Sequence, residues 1–419
     1  MTDHRPEGLT AYLTVTAAYW AFMLTDGALR MLVLLHFHTL GFSPVQLAYL
    51  FLLYECAGII TNLSAGWIAA RFGLTTTLYL GLGIQIVALL ALARLDPTWS
   101  VATSVIFVMA VQGLSGVAKD LSKMSSKSAV KVLAPSDGGA LFRWVAVLTG
   151  SKNAVKGLGF FLGAALLAIA GFKASVLGMA SILSVILIGV VFFMPSGLPK
   201  GKKGAKFRDV FSTDPNVNRL SAARMFLFGA RDTWFVVGIP IYFKSVLSDG
   251  TPEGATRAFF LVGAFMAIWI IAYGGVQSAA PQILKLNRGG TLKRTVYAAR
   301  NWVGALVVVP AVLAAFVFWS DGPSTTLTIV LVIGLLVFGA LFAVNSSVHS
   351  YLILAFTSAE RVTMDVGFYY MSNAAGRLLG TLLSGLSYQV GGLPLCLATA
   401  ALMTALSWFF ARRLAMANA

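Results

Sequence analysis

Lys152 and Lys156 stand one helical turn apart in LTGSKNAVKGLGFFLGA (148–164), a stretch otherwise apolar enough for lipid. Two ammonium groups on one helix face repel each other, so the pair calls for a wet cavity or an anion between them. They have company. Arg30, Arg231 and Arg377 fall near the middles of other long apolar runs, as do the carboxylates Asp26, Glu55 and Asp232. Charges at such depth usually face a bundle interior or an aqueous path and mark the route of a substrate. Arginine offers a planar fork to phosphate-like oxyanions, and lysine a mobile point charge. A pocket gathering these five cations suits a ligand with several tetrahedral oxyanion groups, with Asn153 and Asn373 as candidate contacts to hydroxyl or phosphate oxygens. Asp26, Glu55 and Asp232 are candidates for proton coupling or for holding the cations while the site is empty; the sequence does not choose among them.

Within the apolar runs Arg30, Lys119, Arg143, Lys152, Lys156, Arg224, Arg231, Arg300 and Arg377 outnumber the acids Asp26, Glu55, Asp120, Asp232 and Asp365. An unpaired buried cation is costly, so the imbalance points to an anionic small molecule as the missing partner. Depth sorts the cations further. Arg143, Arg224, Arg300, Lys119 and Lys123 lie near the ends of their runs, where long side chains reach back to water, and are expected to be scaffold. Asp26 and Arg30 share a face, so an internal ion pair competes with a binding role for them. Arg231 and Asp232 point about 100° apart and are not expected to neutralise each other.

Other chemistry is poorly served. His36 and His38 are about 200° apart on a helix and make no two-ligand metal face; packing or lining of an outer mouth is expected of them. His349 stands alone in SSVHSY and reads as a satisfied core polar group. Cys56 and Cys396 lie far apart in apolar runs, with no disulfide or metal spacing. No phosphate-binding loop is visible, which argues against an ATP-driven pump, and no histidine–acid pairing suggests an enzyme. Neither a metal nor a cofactor is expected.

The elements that must position these charges follow from composition. The 419 residues are 58% hydrophobic and 11% charged, against about 25% charged in soluble domains. This is the composition of an all-α membrane protein. A spanning helix needs about 20 mostly apolar residues. On that criterion about twelve runs are expected, near 11–39, 45–70, 75–93, 99–122, 140–169, 174–194, 221–246, 256–281, 296–319, 324–350, 362–388 and 393–411. The long basic segment PSGLPKGKKGAKFRDVFSTDPNVNR divides them into two groups of six, giving an N-terminal bundle (1–194), a linker (195–220) and a C-terminal bundle (221–419).

With the N-terminus inside, the cytoplasmic links hold Arg5, Arg71, Lys123, Lys127, Lys131, the six cations of 200–219, Lys285, Arg288, Lys293, Arg294, Arg361, Arg412 and Arg413. The outer links hold Arg94, Lys173, Lys244 and Arg257. The bias places both termini in the cytoplasm. It also accounts for much of the net charge of +16, so nucleic-acid binding is not expected.

The halves repeat. FMLTDGALRMLVLLHF (22–37) aligns with FGARDTWFVVGIPIYF (228–243), superposing Asp26 on Asp232. KGLGFFLGA (156–164) aligns with RLLGTLLSG (377–385), superposing Lys156 on Arg377 and Gly159 on Gly380. Two pseudo-symmetric six-helix halves with a binding site between them explain both matches.

GWIAARFGL (66–74) resembles the cytoplasmic loop motif of the major facilitator superfamily through Gly66, Arg71 and Gly73, with Ala70 where an acid is usual. More specifically, YWAFMLTDGALRMLVLLHFH (19–38), LSGVAKDLSKMSSKSAVK (114–131), FRWVAVLTGSKNAVKGLGFFLG (142–163) and SAARMFLFGARDTWFVVGIPIYF (221–243) resemble the ArsJ organoarsenical-efflux permeases of that superfamily. The resemblance runs over nearly the whole chain. It implies a twelve-helix exporter in the inner membrane that carries 1-arseno-3-phosphoglycerate by alternating access and confers resistance to arsenate. It also implies a functional partner, the glyceraldehyde-3-phosphate dehydrogenase that makes this acyl arsenate, and a monomer is expected. The competing expectation is an antiporter of phosphorylated metabolites and phosphate with the same fold and site.

Overall fold

Helices form wherever an apolar run lets the backbone bond to itself, because lipid supplies no other partner. The computed structural model describes residues 5–133, 138–194, 211–284, 292–357 and 362–415, and these contain helices and no strand. In chain order the helices are α1 (Arg5–Thr39), α2 (Pro44–Tyr49), α3 (Leu52–Phe72), α4 (Leu74–Leu92), α5 (Val101–Leu133), α6 (Gly138–Phe193), α7 (Pro215–Phe235), α8 (Gly238–Leu247), α9 (Pro252–Ile283), α10 (Leu292–Phe318), α11 (Thr325–Phe356) and α12 (Val362–Arg412). Among the described residues, nine helical stretches are long and apolar enough to cross a membrane. The chain is a multi-pass membrane protein. Most of the linker (195–210) lies outside the described residues, as do the side chains of Gly66, Ala70, Arg71 and Arg143.

Two of the helices contain reversals. α6 breaks at Gly171, whose φ of 74° is open to glycine at no steric cost, and α12 breaks at Gly391–Gly392, with φ of 61° at the second. Both breaks fall between apolar runs of the sequence. Two other runs are interrupted where continuous helix was expected. The run 45–70 turns at Leu50–Phe51, between α2 and α3. The run 221–246 breaks at Val236–Val237 because Pro240 has no amide proton and its ring collides with the carbonyl four residues back. The amides freed there do not go unsatisfied: those of Val237 and Gly238 both donate to Ser384 Oγ on α12 at 3.2 Å.

Glycine sets how closely the site's helices approach. A Cβ on Gly159 or Gly163 of α6 would run into the carbonyls of Leu24 and Ala28 on α1, and one on Gly27 of α1 into that of Lys156. On α12, Gly376 and Gly380 meet the carbonyls of Met225 and Gly229 on α7 in the same way. The α1–α6 and α7–α12 contacts thus use one device, and Gly159 and Gly380 are matched in the sequence repeat. α6 also packs along α9, and α12 along α2 and α3. A cavity of about 210 Å³ lies among α1, α3, α5, α6, α7, α9, α11 and α12.

Candidate functional site

The predicted cations converge. Arg30 (α1), Lys152 and Lys156 (α6), Arg231 (α7) and Arg377 (α12) all line this cavity, together with Asn153, Asp232 and Asn373. Asp26 and Glu55 stand behind its wall, 3% and 0% exposed.

The segments matched in the sequence repeat each contribute an ion pair. Lys156 Nζ donates to Asp26 Oδ2 at 2.5 Å, and Tyr54 donates its hydroxyl to Asp26 Oδ1 at 2.5 Å. At the matching positions Arg377 Nε donates to Asp232 Oδ2 at 3.1 Å. Glu55 joins them: its Oε1 accepts from Arg30 Nη2 at 3.0 Å and from Arg377 Nη2 at 2.6 Å. One carboxylate on α3 therefore ties α1 to α12. A buried pair such as this is costly to assemble and costlier to break on one side, because the remaining charge is stranded.

The structure decides one open pairing and overturns one expectation. Asp26 and Arg30 do not pair with each other; Asp26 takes Lys156 and Arg30 takes Glu55. Cross-helix partners win because the close α1–α6 approach brings Lys156 onto the carboxylate. Arg231 does neutralise its neighbour, donating through Nε to Asp232 Oδ1 at 2.6 Å. The arginine stem is long enough to curl back across the angle between adjacent residues, which an argument from Cβ directions overlooks. The asparagines are engaged as well: Asn153 donates to Gln277 Oε1 at 2.8 Å, and Asn373 accepts from Arg224 Nε at 2.9 Å.

The structure adds residues assigned to scaffold from sequence. Lys119, Lys123 and Arg224 do not reach out to water; all three line the cavity, and Lys119 and Arg224 are only 7% and 5% exposed. Lys123 Nζ donates to Asn62 Oδ1 at 2.5 Å and to Asp120 Oδ1 at 2.6 Å, while Asn62 donates to Asp120 Oδ2 at 3.0 Å. The signal was present in KDLSK (119–123), where spacings of one, three and four place two lysines around one aspartate. Arg300 keeps its scaffold role, donating to the carbonyl of Leu414 at 2.6 Å near the end of α12.

Of the histidines, His36 stacks on Phe172 with centroids 4.2 Å apart, the packing role expected. His349 differs: it is fully buried and neither ring nitrogen has a hydrogen-bond partner. No group of three or more metal-binding side chains occurs among the described residues.

Among the described residues around the cavity and directly behind it, eight cations (Arg30, Lys119, Lys123, Lys152, Lys156, Arg224, Arg231 and Arg377) face four acids (Asp26, Glu55, Asp120 and Asp232). Tyr19, Phe160, Phe228, Phe235 and Tyr273 supply the apolar wall. Such a chamber can strip water from a small anion and replace it with fixed donors.

The same architecture occurs in solved transporters. The human organic anion transporter MFSD10 (TETRAN) superposes with a TM-score of 0.62 at 18% identity, covering 98% of this chain and 100% of that one. A POT family transporter in complex with 5-aminolevulinic acid gives 0.74 at 13% identity, covering 97% and 96%. The nucleoside transporter NupG gives 0.69 at 17% identity, covering 96% and 98%. The chain has the fold of these transporters. By sequence, the chain matches no protein-family model and no curated protein.

Proposed function

We propose that the chain is an exporter of a small, multiply charged organic anion, and that its cargo is 1-arseno-3-phosphoglycerate. The observation that carries this reading is the excess, among the described residues, of eight cations over four acids in and directly behind one cavity between helices from both ends of the chain. The ArsJ-like segments quoted above supply the arsenical; the charge count supports an anion and does not name the element. Taking α2 with α3 and α7 with α8 as single crossings, and α6 and α12 as two each, gives twelve crossings in two six-helix halves (1–194 and 221–419) joined by the linker 195–220. The positive-inside bias then puts both termini in the cytoplasm.

In the working cycle the halves rock about the cavity. Arg30, Lys152, Lys156, Arg231 and Arg377 neutralise the anionic ends of the cargo, with Asn153 and Asn373 as hydroxyl or phosphate contacts. Asp26, Glu55 and Asp232 hold these cations in place while the chamber is empty. The chain itself is a transporter and catalyses no covalent step. A glyceraldehyde-3-phosphate dehydrogenase generates the cargo, and the transporter works as a monomer in the inner membrane.

The test is arsenate tolerance in cells stripped of their own arsenic exporters. Protection that requires both this chain and the dehydrogenase is expected. Absence of protection, with exchange of phosphate for 3-phosphoglycerate instead, would move the cargo to the phosphorylated-metabolite antiporter class.

A further inference from the structure

Three helices carry polar residues of the site in pairs seven positions apart: Glu55 and Asn62 on α3, Arg224 and Arg231 on α7, Tyr370 and Arg377 on α12. Seven residues are two helical turns, about 10 Å of rise, and return to nearly the same face. The charges are therefore arranged in two tiers.

The tiers differ in balance. In the first, four cations share three carboxylates: Lys156 on Asp26, Arg30 on Glu55, Arg231 on Asp232, and Arg377 on both Glu55 and Asp232. In the second, Asp120 alone serves Lys123, at 2.6 Å, and Lys119, at 3.8 Å. Arg224 has no acid within ion-pair distance among the described residues. Its Nε donates to Asn373 Oδ1 at 2.9 Å, and its Nη1 to the carbonyl and hydroxyl of Ser346, each at 3.0 Å. The guanidinium lies over Phe228 at 3.9 Å and Tyr369 at 5.1 Å.

Lys123 lies 5.2 Å from the Tyr370 ring, which lies 5.3 Å from that of Tyr369. Three cations against one carboxylate leave two positive charges, the charge that a phosphate or arsenate monoester neutralises near pH 7. An anion meeting Arg224 displaces no carboxylate and at Lys119 and Lys123 competes with Asp120 alone, whereas in the first tier it must compete with three. Arg224 is also held in one orientation by its neutral partners, so little freedom is lost when Nη2, which none of these bonds uses, meets an oxyanion.

We infer that Arg224, Lys119 and Lys123 form an oxyanion subsite beside the Arg30–Lys156–Arg377 tier, and that it takes one of the cargo's two tetrahedral oxyanion groups while that tier neutralises the rest. This inference rests on the anion-exporter reading and assigns its subsite.

The experiment is calorimetric titration of the purified full-length protein in detergent with inorganic phosphate, using wild type, Arg224→Gln, Lys119→Gln/Lys123→Gln and, as a control away from the cavity, Lys173→Gln. Phosphate affinity should fall at least tenfold in the first two variants and less than threefold in Lys173→Gln. Unchanged affinity in a folded Arg224→Gln overturns the subsite and leaves the anion chamber standing. If that variant misfolds, the double lysine variant decides: affinity equal to wild type overturns the proposal. Absence of phosphate binding to wild type overturns both the subsite and the anion reading.

Discussion

Glu55→Gln isolates the carboxylate that ties α1 to α12. Glu55 Oε1 receives Arg30 Nη2 at 3.0 Å and Arg377 Nη2 at 2.6 Å, and its side chain is wholly buried. After the substitution Arg377 keeps Asp232 at 3.1 Å. Arg30 keeps only the faces of Phe51 and Tyr54, at 5.0 and 5.3 Å, so the loss falls on Arg30. Stranding one member of a buried pair costs about 3–5 kcal/mol. Arg30 is 13% exposed toward the cavity, which favours the lower end, about 3 kcal/mol. A chain of 150–250 residues loses roughly 2–4 °C per kcal/mol and one this long about half that, giving a drop of about 3–6 °C. The assay is thermal unfolding in detergent followed by the fluorescence of the buried Trp234 and Trp269. Adding Arg30→Gln to Glu55→Gln removes the stranded charge and should recover most of the loss. A Glu55→Gln protein melting within about 1 °C of wild type, or a double variant no more stable than the single, would refute the reasoning.

Gly159→Ala and Gly380→Ala should each cost about 1–3 kcal/mol in the same melt, since their Cβ atoms meet backbone of α1 and α7. Gly178→Ala, with nothing within 4 Å, should be neutral or slightly stabilising. Ser384→Ala strands two buried amides at the α7–α8 break; it should lower stability by about 1–3 kcal/mol and speed hydrogen exchange at Val237 and Gly238. Lys156→Ala should abolish transport while leaving membrane insertion intact. Asp26→Asn/Lys156→Gln should regain stability through restored charge balance without regaining transport, and wild-type flux in either variant would remove Lys156 from the site.

Much of the fold was legible because lipid leaves few choices: apolar runs of spanning length become helices, and glycines between runs become the reversals at Gly171 and Gly391–Gly392. The repeat was legible too, and the paired Asp26–Lys156 and Asp232–Arg377 contacts fall where the alignment superposed them. Partner choice was not. Which cation takes which acid depends on helix separation, set by glycines whose significance appears only once two helices meet. The break at Val236–Val237 was readable from Pro240, but a hydropathy count passes over one proline. Depth was misjudged at Lys119, Lys123 and Arg224 because nearness to the end of a run was taken as nearness to water. In fact the cavity continues two turns along the helices that carry Glu55, Arg231 and Arg377.

The most direct test of the central claim uses everted vesicles containing this protein, supplied with arsenate, glyceraldehyde-3-phosphate, NAD and the dehydrogenase. Arsenic should accumulate inside, and accumulation should vanish when any one component or the transporter is omitted. No accumulation from the complete mixture, alongside exchange of phosphate for 3-phosphoglycerate in the same vesicles, would contradict the arsenical as cargo.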